Sequence, residues 1–162
     1  MISASDSEHK FYAHKYVLAK KSVVFAAMFK HDTIESKNKS INIEDITFEA
    51  MKELLRFIYT NDFFDITDST YFDLIKAADK YQILDLKQKC ESEIAEKLMA
   101  ENAFQLLAVA DQSNASILKE NTIEFIISNA KTIVEKPEFN AISNLHVEVI
   151  RELFRKMAFK DG

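Results

Sequence analysis

From Lys10 to Phe29 the chain passes through a short alternating stretch and then seven consecutive uncharged residues, Val23-Val24-Phe25-Ala26-Ala27-Met28-Phe29. The order predicts a short strand, a helix of one to two turns, a cap, and a second, more apolar helix. Ser22 stands where its hydroxyl can accept a free N–H at the start of that second helix. A helix without a polar stripe is expected to be buried on most sides. A chain that places so apolar a segment near its start has to assemble a helical core around it.

The remaining residues favour helix too. The 162 residues include one Gly (Gly162) and one Pro (Pro137), both late, so the strongest helix interrupters are nearly absent. That length suits one compact domain, or a domain with a helical extension. An apolar fraction of 48% with 29% charged residues is ordinary for a folded chain. No apolar run reaches membrane-spanning length and no signal-peptide layout opens the sequence, so no membrane partner is expected. Cys90 is the one cysteine, which excludes an internal disulfide and fits a reducing cytosol or nucleus. The net charge of −5 argues against nucleic acid as a partner, because phosphate neutralisation needs a broad basic face. Lys20-Lys21 and the Lys37/Lys39 pair are too sparse for that and read as solvated surface.

Spacing places the other elements. Ile2-Ser3-Ala4 and His9-Lys10-Phe11-Tyr12 read as hairpin partners, and Ser40 to Glu44 alternates like a half-buried strand. His31 to Lys39 is polar and reads as a loop. Thr47 is a helix cap with Glu49 near the positive end, and Phe48, Met51, Leu54, Leu55 and Ile58 recur at helical spacing. Asn61 is suited to the left-handed conformation that ends this helix. Thr67 or Asp68 caps another helix to about Tyr81, with Phe72, Ile75 and Ala78 on one face. Leu86, Cys90, Ile94 and Leu98 step by four through Asp85 to about Met99. Beyond Glu101 come a short helix (Ala103, Leu106, Leu107, Ala110) and a second (Leu118, Thr122, Phe125, Ile126). Pro137 breaks the chain before a last amphipathic helix on Val147, Ile150, Leu153, Phe154 and Met157.

Little here can carry catalysis. His9, His14, His31 and His146 are scattered, and metal ligation needs three or four convergent donors. His14 reads as a packed structural residue, since a lone His without an orienting partner cannot run general-base chemistry. Cys90 lies on an apolar stripe, as an inert buried thiol would. Ser22 and Asp79 belong to no recognisable triad, and one terminal Gly cannot build a phosphate loop. Asp62/Asp65 and Glu91/Glu93 read as solvated helix ends and faces. No enzyme activity, cofactor or metal is expected.

Phe11, Ala13, His14, Lys15, Leu18, Ala19, Ser22, Phe25, Met28 and Phe29 fall on the pattern Phe-x-Ala-His-Lys-x-x-Leu-Ala-x-x-Ser-x-x-Phe-x-x-Met-Phe. Phe57-Ile58-Tyr59-Thr60, Ala77-Ala78-Asp79-Lys80-Tyr81, Leu86-Lys87 and Cys90-Glu91 continue it. On these residues the chain resembles a BTB/POZ domain, with spacing nearest to speckle-type POZ proteins. Glu101-Asn102-Ala103 and Ala110-Asp111 resemble the helical extension behind such domains. The resemblance implies an α+β fold: a mainly helical BTB/POZ domain with a small sheet over 1–99, then a helical 3-box and partial BACK-like extension over 100–162. Similar domains carry a helix and a complete strand ahead of this point, so the expectation is an N-terminally shortened domain with its substrate-reading domain elsewhere.

The functional surface is then a binding surface. The resemblance implies a homodimer, with Tyr16 and Val17 in the two-fold interface, acting as adaptor of a cullin-3 ubiquitin ligase. Its substrates would be held by a domain outside these residues. Cullin would contact His31, Asp32, Thr33, Ile34 and Glu35 through a hydrophobic-x-Glu motif, with Glu35 retained and Thr33 where a large apolar side chain is usual. In the 3-box, Ser128 aligns with a position that can carry an aromatic. Two alternatives stay open: a self-association module that recruits no cullin, and a transcriptional co-repressor platform.

Overall fold

A computed structural model describes residues 2–3, 10–30, 41–43, 45–63 and 66–160. The chain divides into two compact units, Met1–Cys90 and Glu91–Gly162. Strand among the described residues is limited to β1 (Ile2–Ser3), β2 (Lys10–Phe11) and β3 (Ile41–Asn42), in the order β2-β1-β3. Ile2 lies opposite Phe11 in an antiparallel pair and opposite Ile41 in a parallel one.

The first unit is built on α1 (Lys15–Lys21), α2 (Val23–Lys30), α3 (Phe48–Thr60) and α4 (Asp68–Lys80). Buried Ser22 joins the first two. Its N–H donates to the Leu18 carbonyl at 2.9 Å and closes α1, while its hydroxyl accepts from the Phe25 N–H at 3.1 Å and opens α2. The same hydroxyl donates to the Tyr81 carbonyl at 2.5 Å. Phe25 then stacks on Tyr81, ring centroids 4.4 Å apart. Burial pushes the Tyr81 phenol up to about 12, so it stays protonated.

Thr47 caps α3 by accepting from the Ala50 N–H at 3.4 Å, and Asn61 (φ 58°) ends the helix in the left-handed region. Thr67 caps α4 through the Thr70 N–H at 3.3 Å, leaving Asp68 in the first turn. Met51, Leu54, Leu55 and Ile58 are buried together with Leu74, Ile75 and Ala78, whereas Phe48 and Phe72 are only half-buried. After α4 the Gln82 N–H donates to the Asp79 carbonyl and the Ile83 N–H to the Ala78 carbonyl, with Gln82 at φ 51°. That pair of bonds is a Schellman turn, usually built on Gly.

Helix α5 (Leu84–Ala95) ends four residues before the expected Met99, and Leu86, Cys90 and Ile94 are its fully buried positions. The second unit continues with α6 (Ala103–Gln112), α7 (Ser116–Ser128), α8 (Ala130–Ile133), a 3-10 helix (Pro137–Asn144) opened by Pro137, and α9 (Val147–Lys160). Ala103, Phe104, Leu107, Ile123, Ile126, Ile133, Leu145, Val149 and Leu153 form its core. A second Schellman turn ends α6, with Asn114 at φ 49°.

Four expectations are corrected. Helix α2 is not buried on most sides: Phe25 is its one buried residue, while Val23 and Ala27 face solvent. An uncharged run shows that a helix has no polar stripe, not how many neighbours it has. His14 is exposed rather than packed; its Nδ1 lies 2.8 Å from the Tyr59 hydroxyl, which also accepts the His14 backbone N–H at 2.8 Å. Glu91 is buried rather than solvated, and its carboxylate accepts the Leu118 N–H at 3.3 Å, capping a helix whose own start, Ala115, offers no side-chain acceptor. On α9 the inward residues are Val149 and Leu153, while Val147 and Phe154 are exposed. Asp65 lies outside the described residues.

Candidate protein-interaction surfaces

In the first unit the candidate surface is the outer side of α1 and α2. Leu18 points into the core, and this fixes what the rest of α1 presents. Lys15, Tyr16 and Lys20 are exposed, Tyr16 at 78%, and Val17 is half-buried at the edge. The two expected dimer residues therefore differ: Tyr16 stands in solvent while Val17 leans toward the interior. Tyr12 (84% exposed) precedes them, and Val23 and Ala27 follow on α2. An exposed aromatic among apolar neighbours is the kind of feature that marks a protein contact. The Lys15 ammonium sits 5.2 Å from the centre of the Phe29 ring. Lys21 turns away to Asn61 Oδ1 at 2.6 Å and Asp85 Oδ2 at 3.0 Å.

The second unit carries another surface around Ser128, the last residue of α7. Ser128 is exposed and lies where two grooves adjoin. One, about 540 Å³, is lined by Glu124, Ile127, Arg155, Lys156 and Phe159 as well as Ser128. The other, about 590 Å³, runs from Ile127 to Thr132 and is closed by Met157. Sequence reasoning singled out Ser128 but missed the α9 wall of Arg155 and Phe159. The available signal was the excess of apolar residues on α9 over what one buried stripe can hold.

Ion pairs hold α9 against α6 and α7. His146 Nδ1 lies 2.7 Å from Asp111 Oδ2; Lys119 Nζ bridges Asp111 at 3.0 Å and Glu152 at 3.1 Å; Lys156 pairs with Glu120. Burial alone would raise the Asp111 carboxyl, but hydrogen bonds from Lys119 and His146 outweigh it and hold the group below the ordinary carboxylate range.

Among the described residues no three His, Cys, Asp or Glu side chains converge to hold a metal, and no helix is long and apolar enough to cross a membrane. His31, Asp32, Thr33, Ile34 and Glu35, the expected cullin contacts, lie outside the described residues.

The sequence matches the BTB/POZ domain family over residues 1–98. It is 35% identical over 151 residues to TD and POZ domain-containing protein 1 of Mus musculus, covering 93% of this chain and 41% of that protein. The mouse TD and POZ domain-containing proteins 1-like and 4 are each 34% identical over the same lengths. These relatives are TD and POZ proteins rather than speckle-type POZ proteins specifically, and the chain spans about two fifths (41%) of their length. BTB/POZ domains are protein-interaction modules that self-associate and hold protein partners, and they are generally non-catalytic. Matched over residues 1–98, this chain belongs to the BTB/POZ family.

Proposed function

We propose that the protein is a non-catalytic adaptor of a cullin-3 RING ubiquitin ligase, working in the nucleus or cytoplasm. In this reading residues 1–99 are a BTB/POZ domain of speckle-type kind and 100–162 a helical 3-box with part of a BACK-like extension. Tyr16 and Val17 contribute to contact with a second BTB chain. Residues 31–35 together with Ser128 contact the cullin N-terminal domain, and a domain outside this chain holds the substrate.

The observation that supports this reading best is the pair of grooves meeting at Ser128, on a helical unit that follows the family match. A partner helix or extended segment could lay an apolar side chain there against Ile127 and Phe159. The test is calorimetry with the cullin-3 N-terminal domain. Thr33→Met adds roughly 60 Å² of apolar contact, about 1.5 kcal/mol or tenfold in affinity, and Glu35→Ala weakens binding. Absence of binding by the parent and both variants would remove cullin from the function. The self-association module would then stand, favoured by a small hydroxyl residue at both Thr33 and Ser128.

A further inference from the structure

The second unit holds an apolar cavity of about 130 Å³ among α6, α7, α8, the 3-10 helix and α9. Buried Phe104, Ile126, Ile133 and Leu153 form its floor, and the exposed residues Val134 and Phe154 stand at its rim. Two features of the chain leave this space open. Ala130, the first residue of α8, brings only a methyl group to the wall. Phe139 and Ile142 lie three apart in the 3-10 helix, where such side chains eclipse, so one face of that helix delivers both. Phe139 also meets Phe104 edge to face, with ring centroids 5.6 Å apart.

Every described residue on the wall is apolar, and the Met157 thioether is its one side chain with a heteroatom. A water molecule needs about two to four polar partners to stay in a cavity, and this wall offers none. The volume approaches the roughly 150 Å³ at which an engineered apolar cavity takes up benzene. The Phe104–Phe139 pair gives an aromatic guest a ring edge or face to pack on. A hydrocarbon ring forfeits no hydrogen bond on entry, whereas a hydroxyl group is buried there without a partner.

We propose that this cavity is a binding site for a neutral apolar molecule of about the size of one aromatic ring. The ligand is held by shape and dispersion rather than by hydrogen bonds. Ala130 and Met157 also line the second groove at Ser128, so the occupant lies directly behind one wall of that groove. The adaptable Met157 side chain is shared between the two spaces. The site needs only the fold of the second unit and does not depend on cullin.

Benzene and phenol are the probes, titrated into the whole chain carrying isotope-labelled Ile and Met methyl groups and read by NMR. Benzene should move the Ile126, Ile133, Ile142 and Met157 signals saturably while Ile75 and Ile83, buried in the first unit, stay in place. Phenol, the same ring with a hydroxyl that finds no partner inside, should bind at least about tenfold more weakly. Shifts that rise without saturating, shifts that reach Ile75 and Ile83 equally, or phenol binding as tight as benzene overturn the proposal. Ala130→Leu fills the cavity from α8 and should abolish the saturable shifts while circular dichroism stays that of the parent. Ile142→Phe fills it from the 3-10 helix and takes over if Ala130→Leu does not fold. Unchanged benzene affinity in a folded, filled variant would put the ligand elsewhere and remove the site.

Discussion

Ser22 answers three backbone groups at once: the Leu18 carbonyl through its N–H, and the Phe25 N–H and Tyr81 carbonyl through its hydroxyl. Removing that hydroxyl strands a donor and an acceptor in the interior, where neither finds water. Ser22→Ala should therefore cost about 2–4 kcal/mol, read as a lower urea midpoint at unchanged slope. Gln82 poses the opposite case. An exposed residue with a Cβ is held at φ 51°, where only Gly is free of steric cost. Gln82→Gly should stabilise by about 0.5–1 kcal/mol after the looser unfolded chain is counted, roughly 2 °C in a thermal melt; a lower melting temperature would contradict it. Caps were readable because their chemistry is local. Thr47, Thr67 and Asn61 are residue types whose side chains or backbone preferences suit a helix end whatever lies around them. Gln82 carries no such preference, and Tyr81, which completes the role of Ser22, comes from 59 positions along the chain.

Helices were legible where apolar residues fill one stripe and ambiguous where they fill more. On α3 the stripe Met51, Leu54, Leu55, Ile58 is both the spacing and the buried face. On α9 the apolar residues surround much of the helix, so spacing alone admits a stripe through Val147 and Phe154 as well as the observed one through Val149 and Leu153. The observed stripe packs into the core of the second unit, and beside it lies a set of charges no period reveals: Asp111 on α6 meeting His146 and Lys119, and Lys119 meeting Glu152. The Asp111 carboxyl is lowered in the folded chain, so its contribution is present above the unfolded carboxylate value near 3.9 and is lost as pH falls through the lower folded value. Below about pH 4 the parent should lose melting temperature faster than Asp111→Asn, which starts less stable at pH 7 and titrates nothing there. Parallel melts at pH 7, 4 and 3 check this; identical slopes would show that Asp111 does not hold α9.

At the scale of the molecule, the α1–α2 segment and its continuation through Leu86 were enough to identify the BTB/POZ fold. Leu18, Ser22, Phe25, Phe57, Ile58, Tyr81 and Leu86 in that pattern are buried, so packing dictates their types, while His14, Lys15 and Tyr59 in the same pattern are exposed. The binding surfaces were less legible, because a groove belongs to no single segment: Ser128 acquires its surroundings from Arg155 and Phe159, far along the chain on another helix. Burial also isolates the one thiol. Cys90 has no measurable surface, in a helix whose neighbouring inward residues, Leu86 and Ile94, are equally enclosed. An aromatic disulfide reagent, which exchanges with a thiol to leave a mixed disulfide and a coloured free thiolate, can reach that sulfur only when the surroundings of α5 part. Its reaction rate in native buffer should be slower than in urea by roughly the opening equilibrium, on the order of a thousandfold or more. Absorbance of a released thiol chromophore follows it directly, and equal rates in buffer and urea would contradict the enclosure. With a single reporter atom and no competing sulfhydryl, the chain carries its own stopwatch for internal breathing, and a bound partner that steadies the first unit would slow its hand.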